Sequence, residues 1–129
     1  MRTTFLNGDN ELKIRGKKYF KSRIEDLTKF MNDPEKSFDD IGTFNDYGLC
    51  VDYVEPGTFK NKRGYVRYQL SWGGPSDEFR FYSQDKIEYV FLDWGVGVGF
   101  DVTTHPVAEW LYNEFSYVEP AKTKNNDKY

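Results

Sequence analysis

Residues 65–72 read Y-V-R-Y-Q-L-S-W, and apolar side chains alternate along them with more polar ones. The apolar set consists of Val66, Tyr68, Leu70 and Trp72. A period of two predicts a β-strand that turns this set toward a core. Residues 73–77, G-G-P-S-D, predict a turn, because glycine supplies unusual φ angles and proline fixes its own. Residues 78–82 then alternate again, with Phe79 and Phe81 inward, so the segment predicts a β-hairpin.

Two further strands flank this hairpin in the sequence. Residues 49–54 and 87–94 are short apolar runs at hairpin spacing, which predicts a four-stranded antiparallel meander. In the fourth strand the apolar residues occupy both sets of alternate positions, so that strand is either covered twice or offers a binding surface. Residues 95–99, G-V-G-V-G, break the pattern and predict a bulged strand or a flexible loop.

One helix is expected before the meander in the sequence and another after it. Ser22 and Glu25 fit a capping box, and Asp33-Pro34 ends the apolar periodicity that follows, which predicts a helix over 23–32. A second helix is expected after a cap at Thr103 or Thr104, with Pro106 in its first turn. Its apolar face comprises Val107, Leu111, Phe115 and Val118.

The N-terminal residues predict a small hairpin. Thr3–Leu6 and Glu11–Arg15 alternate on either side of Asn7-Gly8, a strong tight-turn dipeptide. The predicted fold class is therefore α+β, with a four-stranded antiparallel meander, two helices packed on one face and a short N-terminal β-hairpin. We expect one domain over residues 1–119 and a flexible polar tail over 120–129.

Composition excludes several classes of protein. Of the 129 residues, 24 are aromatic (11 Phe, 10 Tyr and 3 Trp), and only Ala108 and Ala121 are alanines. Coiled coils need the opposite composition, and disordered chains are poor in aromatics. No apolar run is long enough for a transmembrane helix, and no signal peptide is recognised. Cys50 is the only cysteine, so an intrachain disulfide is excluded and a reducing cytoplasm is expected.

Charges are arranged in blocks along the chain. Residues 13–23 hold six bases and no acid, whereas residues 33–55 hold seven acids and one base. The charged residues of segment 56–75 are again all basic. Such blocks either neutralise one another across the fold or form separate basic and acidic surfaces that steer a partner.

Little in the sequence points to catalysis. His105 and Cys50 are the only residues of their types, and no spacing of ligands predicts a metal site. Cys50 is expected to be buried, as most free cysteines are. The carboxylates Glu78 and Glu88 lie on neighbouring predicted strands. Cross-strand ion pairs with arginines, which stabilise a sheet, explain their presence without a catalytic role. We therefore expect neither an enzyme, nor catalytic residues, nor a cofactor.

The face of the meander opposite the core is the more informative feature. It is predicted to carry arginines and tyrosines, a composition suited to protein contacts or to stacking on single-stranded nucleic acid. The aromatic residues assigned to it are Tyr65, Tyr82, Tyr89 and Phe91. The alternative is that the N-terminal hairpin covers this face.

Residues 65–82, Y-V-R-Y-Q-L-S-W-G-G-P-S-D-E-F-R-F-Y, with the flanking strands over 47–54 and 87–94, resemble a group of small uncharacterised proteins carried by bacterial plasmids and phages. Proteins of this kind are similar to anti-restriction and anti-CRISPR inhibitors. The resemblance implies a non-enzymatic protein that binds a nuclease complex and blocks it, and it implies no catalytic residue.

The first functional hypothesis is an inhibitor of a host defence protein or protein–nucleic-acid complex. The acidic segment 33–55 would compete for a basic nucleic-acid channel, and the sheet would supply a second contact surface. The predicted partner-binding residues are Asp39, Asp40, Asp46, Arg67, Trp72, Asp77, Glu78, Arg80 and Tyr82.

Two other hypotheses come from different classes. One is an accessory protein that binds nucleic acid directly through the basic segments 13–23 and 60–67 and an aromatic sheet face; the acidic net charge of −3 favours it less. The other is a small hydrolase that uses Glu78, Glu88 and Asp93. None involves a membrane, and the oligomeric state stays open.

Overall fold

The computed structural model describes residues 3–6 and 10–120 and contains a six-stranded antiparallel sheet in the order β1-β6-β5-β4-β3-β2. The strands are β1 Thr3–Leu6, β2 Cys50–Val54, β3 Tyr65–Ser71, β4 Ser76–Ser83, β5 Lys86–Asp93 and β6 Val96–Asp101. The helices are α1 Asn10–Asn32, α2 Phe44–Tyr47 and α3 Pro106–Phe115, and a short 3₁₀ turn, Ser116–Val118, follows α3.

The predicted α+β class and the antiparallel sheet are confirmed, but the sheet has six strands where a meander of four was predicted. The four predicted strands are β2 to β5, and the segment 95–99 contributes to a fifth consecutive strand, β6. The period of two continues through it, because Val98 and Phe100 alternate with Gly97 and Gly99 and their side chains are completely buried. β1 then pairs with the free side of β6 and completes the sheet.

The predicted N-terminal hairpin is wrong, because its second strand belongs to the 23-residue helix α1. Leu12, Gly16, Phe20 and Ile24 recur at four-residue intervals, and this helical period prevails over the short alternation around Ile14, which is 56% exposed. Ser22 lies inside α1, so the predicted capping box does not form there. The turn dipeptide Asn7-Gly8 lies outside the described residues.

Both long helices pack on one face of the sheet, the core face, as predicted. Leu12, Leu27 and Phe30 of α1 and Val107 and Leu111 of α3 share one buried cluster with it. The sheet residues of this cluster are Val66, Tyr68, Leu70, Phe79, Phe81, Ile87, Tyr89, Phe91, Val98 and Phe100. Tyr89 and Phe91 are thus core residues, which corrects their assignment to the opposite face.

A close contact fixes α1 against β6. A Cβ atom added at Gly16 would lie 3.0 Å from side-chain atoms of both Val98 and Phe100. That distance is tighter than ordinary van der Waals contact, so glycine allows the helix backbone to approach the strand. The Phe20 ring continues the contact, with its centroid 5.1 Å from that of Tyr89.

His105, rather than Thr103 or Thr104, caps α3. Its Nδ1 accepts a hydrogen bond from the Val107 backbone N–H at 3.1 Å, and Pro106 occupies the first turn as predicted. Thr103 instead donates its hydroxyl to the Asp101 carboxylate at 2.7 Å. Burial lowers the pKa of His105, which favours the neutral ring that the cap requires.

None of the helices in the described residues is both long and apolar enough to cross a membrane. The predicted tail, 120–129, lies outside the described residues except for Pro120.

Candidate functional site

The candidate site lies on the outer face, the face of the sheet opposite the core cluster. β3 and β4 place Gln69 opposite Glu78 and Arg67 opposite Arg80, all on this side. Neither α1 nor α3 packs here, since their buried residues belong to the core cluster. The centre of this face therefore consists of polar and charged side chains set in a sheet, and the arrangement of their charges decides what they can bind.

Arg67 and Arg80, at the centre of the outer face, each have a carboxylate partner. Arg67 donates two hydrogen bonds to Asp52 on β2, at 3.0 and 2.7 Å, and Arg80 donates Nε–H to Glu78 at 2.6 Å. These carboxylates offset the repulsion expected between two arginines that lie directly opposite each other. The Glu78 side chain is only 4% exposed, so its ion pair with Arg80 is largely shielded from solvent.

The arginines remain charged in this environment. Hydrogen bonding to Asp52 raises the pKa of Arg67, and burial opposes it only in part. Burial lowers the pKa of Arg80, but the nearby Glu78 carboxylate more than compensates, and the net shift is upward. The guanidinium of Arg80 also lies 4.9 Å from the centroid of the Tyr65 ring, which is 1% exposed.

A cleft of about 350 Å³ opens over this charged floor. Arg67, Gln69, Ser76, Glu78 and Arg80 line it together with the apolar side chains of Phe59, Trp72 and Leu92. Phe59 and Trp72 are 62% and 76% exposed. The cleft thus combines exposed aromatic side chains with a floor whose charges are already neutralised within the chain.

A bulge in β3 places Trp72 at the cleft. Gln69 lies opposite Glu78, but the next pair is Ser71 with Asp77, so β3 gains one residue there. The bulge turns Ser71 toward the core face and Trp72 toward the outer face. The predicted alternation, which placed Trp72 inward, is therefore wrong beyond Leu70.

Asp77 does not belong to this site, although it was predicted there. It is completely buried on the core face, where both its carboxylate oxygens accept hydrogen bonds from Arg23, at 2.8 and 3.0 Å. The hydroxyl of Tyr89 donates to it at 2.6 Å, and the hydroxyl of Ser71 donates as well. With four donors around it, Asp77 acts as the centre of a structural cluster, the Asp77 network.

The Asp77 network extends to the segment after α1. Arg23 donates to the Tyr47 hydroxyl at 3.2 Å, and Tyr47 donates to Asp26 at 2.6 Å. Burial by itself lowers the pKa of Arg23, but the hydrogen bonds to Asp77 and the charge of Asp77 raise it by more. The pKa of Arg23 is therefore raised overall. Burial is the main cause that raises the pKa values of Tyr47 and Tyr89. The sequence indicated a basic run at Arg23 but nothing of this pairing.

The predicted acidic surface lies on the other side of the sheet from the cleft. Asp39, Asp40 and Asp46 are exposed on a segment whose Phe38 and Phe44 rings pack against Phe30 of α1. Asp40 pairs with Lys29 at 3.4 Å, and the Asp46 backbone N–H donates to the Thr43 hydroxyl at 3.2 Å. The predicted partner-binding residues therefore form two separate surfaces, with Asp77 buried between them.

Tyr82 lies on the outer face near the basic loop between β2 and β3. Its ring centroid is 5.2 Å from that of Tyr65, and its hydroxyl donates to Glu88 at 3.4 Å. Arg63 and Lys86 approach the same ring, at 5.8 and 6.0 Å. Tyr82 thus joins the predicted surface beside Arg67 and Arg80 as a half-buried aromatic contact.

The carboxylates of the hydrolase hypothesis have different partners. Glu78 binds Arg80, Glu88 binds Tyr82, and Asp93 pairs with Arg15 of α1 at 2.7 Å. In the described part of the chain no group of three His, Cys, Asp or Glu side chains could hold a metal ion.

Cys50 is exposed, so the prediction that it is buried is wrong. It lies on the edge strand β2, where its thiol donates to the Gln69 amide oxygen at 3.5 Å. β2 is the last strand of the sheet, and this edge position gives the thiol its access to solvent.

Comparisons with protein-family models, with curated proteins and with solved structures give no match to this chain. The functional argument therefore rests on the geometry of the outer face.

Proposed function

We propose that the chain is a non-enzymatic binding protein that inhibits a host defence protein or protein–nucleic-acid complex, and that the cleft of the outer face is its main contact surface. The observation that carries this proposal is the exposure of Trp72 and Phe59 beside a floor of paired arginines. Tryptophan and arginine are enriched among the residues that dominate the energy of protein interfaces.

The floor of the cleft suits a protein partner for an electrostatic reason. Arg67 and Arg80 already have carboxylate partners, so a contact that covers them leaves no unpaired charge. Their remaining N–H groups can donate to backbone carbonyls of a partner. Burying the exposed part of Trp72 would supply the apolar part of the contact, and residues of this kind contribute about 2 kcal/mol or more.

Trp94 extends the apolar part of this surface. It is 86% exposed in the turn between β5 and β6, and its φ angle of 50° is unfavourable for a bulky residue. Its indole packs over Gly74 in the turn between β3 and β4, which directly follows Trp72 and Gly73. The exposed part of its indole adds apolar area that a partner would cover, which supports a role in binding.

The inhibitory part of the proposal rests on the resemblance to small plasmid and phage proteins and on the acidic surface. Asp39, Asp40 and Asp46 form a second exposed region on the helix side of the sheet. Acidic side chains there would compete with nucleic acid for a basic channel of the partner, in the cytoplasm of a bacterial host.

The test measures protection of a targeted plasmid in bacteria that carry either a restriction system or a CRISPR system. Expression of the chain should raise the transformation efficiency of that plasmid. Trp72→Ala should weaken binding by roughly thirtyfold, the equivalent of about 2 kcal/mol, and should reduce protection. Tyr117→Ala is the matched control, since Tyr117 is 80% exposed but lies outside the cleft.

Two results would contradict the proposal. One is the absence of protection against both systems by the wild-type chain. The other is full protection by Trp72→Ala with an unchanged circular dichroism spectrum, which would remove the cleft from the contact surface.

The fold bears on the alternative hypothesis, in which the chain binds nucleic acid directly through the basic segments 13–23 and 60–67. Its two basic segments lie on different sides of the sheet, because Arg63 adjoins Tyr82 on the outer face while α1 covers the core face. A single basic and aromatic surface that includes 13–23 and 60–67 is therefore not assembled, and each segment has to be considered by itself.

A further inference from the structure

Four lysines of α1 form a cationic surface, the lysine face, in which Lys17, Lys18 and Lys21 are exposed and Lys13 is half-buried. None of them forms an ion pair or a ring contact with another described residue. The arginines of the same run behave differently, since Arg15 pairs with Asp93 and Arg23 with Asp77. Over residues 13–23 the two arginines therefore have carboxylate partners, whereas the four lysines have none among the described residues.

The lysine face lowers the stability of the helix that carries it. Lys13, Lys17 and Lys21 are four residues apart, and like charges at this spacing cost roughly 0.2–0.5 kcal/mol for each pair. Lys13 also lies in the first turn of α1, where the positive end of the helix dipole disfavours a cation. A single glutamate among them would relieve both costs, so folding does not account for this arrangement.

The exposure of Ile14 is a third feature of this surface that does not stabilise the fold. Its side chain is 56% exposed, and Lys17, Lys18 and Lys21 follow it three, four and seven positions later, on the same side of the helix. An exposed isoleucine surrounded by lysines contributes no core contact. It offers an apolar contact in the middle of a cationic surface.

We propose that the lysine face binds the phosphate backbone of a nucleic acid without regard to sequence. Lys13, Lys17 and Lys21 form a row about 12 Å long, at a rise of about 1.5 Å per residue. One strand of a DNA duplex carries a charge about every 3.4 Å along the axis, so the row spans roughly three to four phosphates. Such a regular line of charge matches a nucleic-acid strand better than the irregular carboxylates of an acidic protein.

This inference goes beyond the proposed function and does not depend on it. Lysines make phosphate contacts as compact point charges, which supply affinity and salt dependence but no base recognition. The face lies on the helix layer, on the opposite side of the sheet from the cleft. A protein bound at the cleft and a nucleic acid bound at α1 would therefore not compete for the same side chains.

The test is a fluorescence anisotropy titration of a labelled DNA duplex with the full chain at several low salt concentrations. If all four lysines contact phosphates, the slope of log K against log salt should be about −3.6. The double variant Lys17→Gln/Lys21→Gln should make the slope shallower by about 1.8 and weaken binding. Lys29→Gln is the matched control, because Lys29 belongs to the same helix but pairs with Asp40.

Absence of duplex binding at low salt would overturn the inference, as would a slope unchanged in the double variant. Binding of polyglutamate by the wild-type chain, with no binding of the duplex, would overturn it in favour of an acidic protein partner. Loss of duplex binding in Trp72→Ala but not in the double variant would assign the contact to the outer face instead. Plasmid protection by the double variant reports separately on the proposed function.

Discussion

Replacing Arg23 by methionine tests the Asp77 network most directly. The substitution keeps an unbranched side chain of similar helix propensity but removes the cation that pairs with Asp77. Because Asp77 is completely buried, its charge would lose two hydrogen bonds and its only ion pair among the described residues. Breaking a buried pair on one side costs about 3–5 kcal/mol. That is a large part of the 5–15 kcal/mol typical of a whole domain.

The measurement is the free energy of unfolding in urea, followed by circular dichroism and by tryptophan fluorescence. Arg15→Met is the matched control on the same helix, since Arg15 pairs with Asp93 at 2.7 Å but its side chain is 40% exposed. A partly exposed pair of this kind contributes about 1 kcal/mol or less. A loss in Arg23→Met no larger than that in Arg15→Met would refute the reasoning.

A second substitution tests whether the loss of stability in Arg23→Met comes from the unpaired charge of Asp77. Asp77→Leu combined with Arg23→Met removes the unpaired charge, so the double variant should be more stable than Arg23→Met alone. The recovery should be incomplete, because the hydroxyls of Ser71 and Tyr89 lose their acceptor. A double variant that loses the sum of the two single losses would show that the residues are not coupled.

Two further predictions concern buried tyrosines. Tyr68→Phe should leave the free energy of unfolding unchanged or raise it, because the buried Tyr68 hydroxyl has no hydrogen-bond partner among the described residues. Tyr89→Phe should lower the free energy of unfolding by about 1–3 kcal/mol, because it takes a donor from Asp77. Urea unfolding of both variants checks this, and equal effects would contradict it.

The structure raises the pKa values of Tyr47, Tyr68 and Tyr89 above 10.0, mainly through burial. The unfolded chain therefore loses these protons first, and stability should be retained below about pH 10 and fall above it, by up to about 4 kcal/mol per pH unit. Urea unfolding on either side of that pH checks the sign, and a stability that does not fall would contradict it.

Local patterns in the sequence predicted the meander well because alternation along a strand is a property of the strand itself. The strands over 49–54, 65–72, 78–82 and 87–94 were found in this way, and so was the helix that begins at Pro106. The same reasoning failed over 11–15, where five residues fit both an alternating and a helical pattern. The longer helical period from Leu12 to Leu27 decides the structure there.

The candidate site was predicted only in part. Arg67, Glu78 and Arg80 were assigned to one face, and the register of β3 and β4 places them there. Trp72 was misplaced because one extra residue in β3 exchanges the faces beyond Leu70. Asp77 was misplaced because β4 begins at Ser76, so that Asp77 lies on the same face of the strand as Phe79. Nothing in the local pattern indicates a bulge, because apolar and more polar side chains alternate without interruption over residues 65–72.

The sequence by itself determined the antiparallel sheet, its aromatic core and the position of α3, because these follow from periodicities over a few neighbouring residues. Only the tertiary structure decided which charges are buried. Arg23 and Asp77 are 54 residues apart, and their pairing depends on how α1 crosses the sheet. The same crossing turns the lysines of α1 to solvent and leaves the outer face free for the cleft, because a helix can pack only one of its sides against a sheet.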